Sequence, residues 1–150
     1  MSAHKFRVKV SPHADRIEAS FGAAAGEGWG SKDLGKAVKM AGNGSAYALC
    51  ADGDMIEGFV DSVEVVTVND GFPFGTVNRS HRHEVKVGSG TISVLDFVVA
   101  ATQDAPGVEG IAKVKAATLD GANVNSFKWR CISIVTGTGA VGDIVVVEKV

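Results

Sequence analysis

The sequence predicts an all-β protein: a compact β-sandwich or β-barrel, jelly-roll-like, carrying an extended N-terminal arm. Glycine is abundant (19 of 150 residues) and proline scarce (3). Apolar runs are short and rich in valine, and they are separated by Gly, Asn and Asp turn residues. At this length one domain holds a core without staples. The organisation expected is an arm and linker over residues 1–30 and a β-domain over residues 31–150.

The arm opens with strict alternation, Phe6, Val8 and Val10 on one face and Lys5, Arg7 and Lys9 on the other, the period of a half-buried strand. Two roles fit it: an edge strand blunted by its lysines, or an arm that adds a strand to a neighbouring chain. Ser11-Pro12, with Ile17 and Phe21 four apart and Gly22 as a stop, predicts a short helix over 12–21. Residues 22–30 (GAAAGEGWG) read as a linker in which Trp29 needs cover, from its own core or from a partner.

Residues 36–40 and 45–50 read as two strands around the turn 41–44, with its two glycines. The stretch 51–77 is strand, turn, strand, ending in the tip Phe72-Pro73-Phe74-Gly75. Two aromatics on a stiffened loop point to a contact within an oligomer or with a partner, the alternative being a tip folded back on its own core. Arg79 and Arg82 give the next strand a basic contact patch. His81 and His83 make an HxH pair, but a third ligand at reachable spacing is missing, so the sequence assigns no metal.

Residues 88–99 and 136–147 echo one another: a Gly-Ser-Thr loop, an apolar residue, then Asp opening a strand apolar on both faces. Gly53-Asp54-Met55-Ile56 is a weaker third copy. Such strands need cover on both sides. The glycine pairs precede strands, with no helix start or Lys in register, so they are not phosphate loops. Strands are also expected over 110–118 and 126–135, the latter with Phe127, Trp129 and Cys131 on one face.

Charge is close to balanced, at −2, but unevenly spread. Residues 1–40 hold seven Lys or Arg against four acids, and residues 41–75 hold six acids and no base. A nucleic-acid binder would gather its bases into one patch, so nucleic acid is not the expected partner. No apolar h-region or 18-residue apolar run points to a signal peptide or membrane span, and a cytosolic protein is expected. Cys50 and Cys131 sit in apolar runs and read as buried free thiols. The acids fall at turns and along one strand. No nucleophile with a base, paired carboxylates or cofactor loop emerges, so the sequence suggests neither catalysis nor a cofactor.

The runs 35–40, 51–64 and 71–77, followed by Gly142-Asp143-Ile144-Val145-Val146, resemble the small capsid decoration (cement) proteins of tailed bacteriophages over about residues 34–150. The resemblance implies a β-domain on the outer surface of the virion. It would bind the major capsid protein and its own copies, as a dimer or trimer, and strengthen the head without catalysis. Another phage structural subunit (tail tube, head completion, fibre base) and a soluble β-barrel binding module stay open beside it. The residues expected in contacts are Lys5, Phe6, Arg7, Val8, Lys9, Val10, Trp29, Phe72, Phe74, Arg79 and Arg82.

Overall fold

The computed structural model describes residues 16–21, 28–41, 46–64, 74–119 and 126–150. Within them ten strands form two five-stranded sheets. The first runs, in spatial order, β1 (Arg16–Ser20), β5 (Phe74–Asn78), β4 (Gly58–Glu64), β2 (Ala37–Met40) and β3 (Tyr47–Leu49). The second runs β7 (Val98–Ala100), β8 (Lys113–Ala116), β6 (Arg82–Val87), β10 (Ile144–Lys149) and β9 (Trp129–Ile134). A 3-10 turn at Ser31–Asp33 is the only helical element among the described residues. The hairpins read from the sequence are present: β2 pairs antiparallel with β3, and β4 with β5.

Both sheets curl until their edges meet. Phe21, one residue beyond β1, makes a parallel bridge to Tyr47 on β3, and these strands are the two edges of the first sheet. In the second sheet Phe97 bridges Arg130. Leu95 N donates to Cys131 O and Cys131 N to Asp96 O, both at 2.8 Å, lacing the β7 edge to β9. Closure gives the backbone groups of edge strands partners that an open sheet leaves to water or to another chain. The fold is therefore two barrel-like sheets packed together.

Strand alternation assigns the cores. Val38 opposes Leu49, Met40 opposes Tyr47 and Val60 opposes Val77, so one face of the first sheet lines its interior, where Val38, Tyr47, Val60 and Val77 pack with Phe21 and Trp29. The other face offers Ala37 and Phe59, which are Cα partners. They join Val85, Val87, Val98, Val114, Val145 and Val147 in a second core that fuses the two sheets. A bulge between Val146 and Val147 lets Ser133 and Cys131 pair with consecutive residues of β10, passing over Ile132. This explains how the apolar face of β9 continues past Cys131 to Ile134, which packs on that core.

Two expectations are corrected. Residues 16–20 form a strand and not the C-terminal part of a helix, in register with β5 from Arg16↔Asn78 to Ser20↔Phe74. The four-residue spacing of Ile17 and Phe21 fits a helix, but Ile17, Ala19 and Phe21 also fit period two, and the backbone of β5 supplies the partner that decides. In addition, the backbone of residues 16–20 pairs with β5, and Phe21 and Trp29 are buried in the first sheet's core, so the uncoupling expected of residues 1–30 does not hold at these positions; residues 1–15 and 22–27 lie outside the described residues.

The echo is a repeated turn. At Gly30–Asp33, Ala51–Asp54, Ser93–Asp96 and Ala140–Asp143 the fourth amide donates to the first carbonyl at 3.0–3.1 Å. In each, the Asp carboxylate also accepts the first residue's N–H, at 2.8, 2.7, 2.8 and 3.0 Å respectively. In the last three the third residue is left-handed: Gly53 (φ 86°), Leu95 (φ 77°) and Gly142 (φ 93°). Glycine takes that conformation freely, whereas an L side chain pays roughly 1–2 kcal/mol for it. Leu95 is the exception in an otherwise economical design.

Candidate functional site

Among the described residues, the most deeply buried charges serve structure. Asp33 and Lys36 are both 0% exposed, and Lys36 Nζ donates to Asp33 Oδ1 at 2.7 Å. Its other two N–H groups reach the carbonyls of Ala105 (2.9 Å) and Val108. The Asp33 carboxylate also accepts from Gly30 N (2.8 Å) and Gly107 N (3.0 Å), so the pair ties the 105–108 loop beneath the start of β2. Gln103, also buried, extends the network: its Oε1 accepts from Ala37 N (3.3 Å) and Lys113 N (3.2 Å), and its Nε2 donates to Ala101 O and Lys113 O. One amide side chain thus stitches β2 of the first sheet to β8 of the second. A buried charge pair with every donor spent is a rivet, with no capacity left for a substrate.

Of the residues expected in contacts, Lys5 to Val10 and Phe72 lie outside the described residues. Trp29 is a core residue: it is 4% exposed and stacks on Phe21 with ring centroids 4.9 Å apart. Its own chain supplies the cover. Phe74 opens β5, half-buried, opposite Ser20 and Glu64. Arg79 and Arg82 flank the tight turn between β5 and β6; Arg79 is half-buried, and Arg82 is exposed with its Nε 3.4 Å from Glu148 Oε1.

The two histidines do not share a strand face. His81 sits in the turn with φ 69° and its Nδ1 2.6 Å from Ser80 Oγ. His83 points inward on β6, its ring stacked on Phe59 at 4.3 Å and edge-on to Trp129 at 5.5 Å, while its Nε2 donates to Ser80 O at 2.7 Å. Among the described residues no three His, Cys, Asp or Glu side chains gather as a metal site. Burial pushes the His83 imidazole below the usual histidine range, against the pull of the Ser80 carbonyl; His81 adds to the depression and Asp61 opposes it. The unfolded chain therefore binds the proton more readily. The stability this group contributes is complete above a pH of about 6.5 and is lost as pH falls through its lower folded value. The melting temperature of the wild type should drop more steeply between pH 7 and pH 5 than that of His83→Phe. Equal slopes would show that the ring titrates as it does in water.

Both thiols are free and buried, as the sequence suggested. Burial raises Cys50 to about 12 and raises Cys131 as well. Neither is thiolate at neutral pH, so both should resist a thiol-specific alkylating reagent in the native protein and react fully in denaturant. Rapid labelling of either in the folded state would contradict this burial.

What the sequence did not single out is the end of the second sheet where two of the repeated turns meet. Ile92 N donates to Gly139 O at 2.9 Å, bringing loop 88–96 against loop 135–142. The approach needs glycine, because a Cβ at residue 139 would stand 2.0 Å from Ile92 O. Asp143 Oδ2 stiffens the second loop by accepting from the amides of Thr138, Gly139 and Ala140 at 2.9–3.1 Å. On these loops Val94 (49%), Leu95 (65%), Val135 (51%) and Val141 (62%) are exposed. The stretches 88–95 and 135–142 contain no charged residue. The signal was present as the echo; what it lacked was the knowledge that its two copies touch.

No family, no curated protein and no solved structure matches the chain.

Proposed function

We propose that the protein is a non-enzymatic structural protein of a virion, a decoration or cement protein. In this reading it binds the outer surface of a phage capsid through the major capsid protein, associates with its own copies, and stabilises the head. The observation that carries this reading is the end of the second sheet, where two stiff, charge-free loops hold four aliphatic side chains out to solvent. A closed β-body with rigid apolar loops suits a protein whose work is to dock and hold. The buried ionisable pair, Asp33 and Lys36, is spent on riveting that body together. The resemblance of residues 34–150 to decoration proteins points the same way.

Co-sedimentation of the purified protein with empty phage heads, together with mass spectrometry of purified virions, tests the reading. Saturable binding to heads and a raised head-disruption temperature are expected. Assembly into rings or tubes without heads, or absence from virions, would overturn it in favour of a different role.

A further inference from the structure

We propose that Arg130, beside the stacked rings of Phe97 and Phe127, is a docking point for a carboxylate-bearing segment of another protein. The proposal rests on the functional reading only in taking the partner to be a protein, and it concerns residues that carry no part of that reading.

Arg130 is kept at a cost to its own fold. Among the described residues its Nε is the one buried side-chain polar atom without a hydrogen-bond partner. Two acids stand close in register, and neither serves it. Glu148, its Cα partner on β10, reaches Arg82 Nε at 3.4 Å. Asp96, whose carbonyl accepts from Cys131 N, turns its carboxylate onto the amide of Ser93 at 2.8 Å. A buried N–H that has given up water for no acceptor is destabilising, and an aliphatic side chain of similar length would fill the position without that loss. An orphaned donor in an otherwise satisfied body points to an acceptor outside it.

The surroundings select a carboxylate on a protein. The antiparallel bridge sets Phe97 opposite Arg130, so the two side chains leave the sheet on the same side. Phe97 stacks on Phe127 with centroids 6.0 Å apart, and both half-buried rings lie outside the two cores. Arginine and aromatic rings are the residues that most often anchor protein interfaces. Lys128, exposed two residues earlier, adds a second positive charge. Arg130 is itself only half-buried, so its end is within reach. A carboxylate offers the planar pair of oxygens that matches a guanidinium, and drawing the side chain outward gives Nε an acceptor. A nucleic acid fits less well, because Glu148 and Glu84 border the same sheet face and would repel a run of phosphates.

The test pairs a stability measurement with a binding one. Arg130→Met should melt at the wild-type temperature or above, because it removes the orphaned donor and keeps much of the stem; a lower melting temperature would make the guanidinium part of the fold and overturn the proposal. Binding is followed by NMR on the full chain, at the Arg130 Nε–H and the rings of Phe97 and Phe127. The probes are an end-blocked peptide alternating Leu and Glu, its Leu-Lys counterpart, and a single-stranded DNA oligonucleotide. The Leu-Glu peptide should shift these signals, less so at high salt, and should bind Arg130→Met at least about tenfold more weakly. No shift up to about 1 mM peptide, an equal shift with the lysine peptide, or a stronger response to DNA overturns the proposal. Empty heads separate it from the functional reading. Heads that hold wild type and Arg130→Met equally refute the Arg130 site alone, whereas peptide binding by a protein that heads do not retain refutes the functional reading alone.

Discussion

An Asp33→Ala variant should lose about 3–5 kcal/mol of stability, a large share of the roughly 5–15 kcal/mol that keeps a domain folded. Asp33 and Lys36 are both fully buried, with the ammonium 2.7 Å from the carboxylate. Removing the carboxylate leaves a positive charge out of water without a counterion. It also strips the acceptor from the amides of Gly30 and Gly107. The unpaired charge is the larger effect, because desolvating an ion costs several kcal/mol against about 1–3 for each neutral orphan. Asp33→Asn separates the two, since its amide oxygen still accepts from the backbone while the charge of Lys36 stays uncompensated. Urea titration should rank wild type above Asp33→Asn above Asp33→Ala. A loss below about 1 kcal/mol for Asp33→Ala would mean that water reaches the pair and that the rivet is not closed.

Lys36 also shows where the sequence was opaque. Read along the chain, it is one lysine entering a strand, and alternation explains Ala37, Val38 and Met40 without it. Its counterion three residues earlier and its carbonyl partners at 105 and 108 become visible only when loop 101–112 is laid against the first sheet, a long-range fact that local pattern does not encode. The strands themselves were legible because their signal is local: valine alternation and Gly-Asp turns located the β2–β3 and β4–β5 hairpins and the strand that begins after Asp143. The closure of each sheet was not, since it rests on isolated long-range contacts, the bridge from Phe21 to Tyr47 in one sheet and the bridge from Phe97 to Arg130 with the bonds of Leu95 and Asp96 to Cys131 in the other. Ile17 and Phe21 misled because spacing of four is compatible with both periods. Trp29 was correctly read as needing cover, but which surface supplies it depends on Phe21, whose own place in the barrel is set by Tyr47.

Trp129→Ala should be comparably damaging, at about 3–5 kcal/mol, because the ring is 1% exposed and lies where the two sheets fuse. Its Nε1 donates to Ile56 O at 3.1 Å, across from the second sheet to the approach of β4, and its edge meets Phe59 with centroids 4.9 Å apart at 85°. Trp129→Phe keeps much of the volume but removes the donor from a buried carbonyl, so a loss of about 1–3 kcal/mol is expected from that bond alone. Phe59→Ala tests the other side, since Phe59 belongs to β4 and Trp129 to β9, so their contact is inter-sheet. If the sheets hold together through this aromatic junction, the double variant should fall short of the sum of the single losses by about 0.5–1.5 kcal/mol in a chemical-denaturation cycle. Strict additivity would mean that the rings fill space independently. The joint would then rest on the polar stitch at Gln103, and Gln103→Ala would be the variant that lets the sheets part.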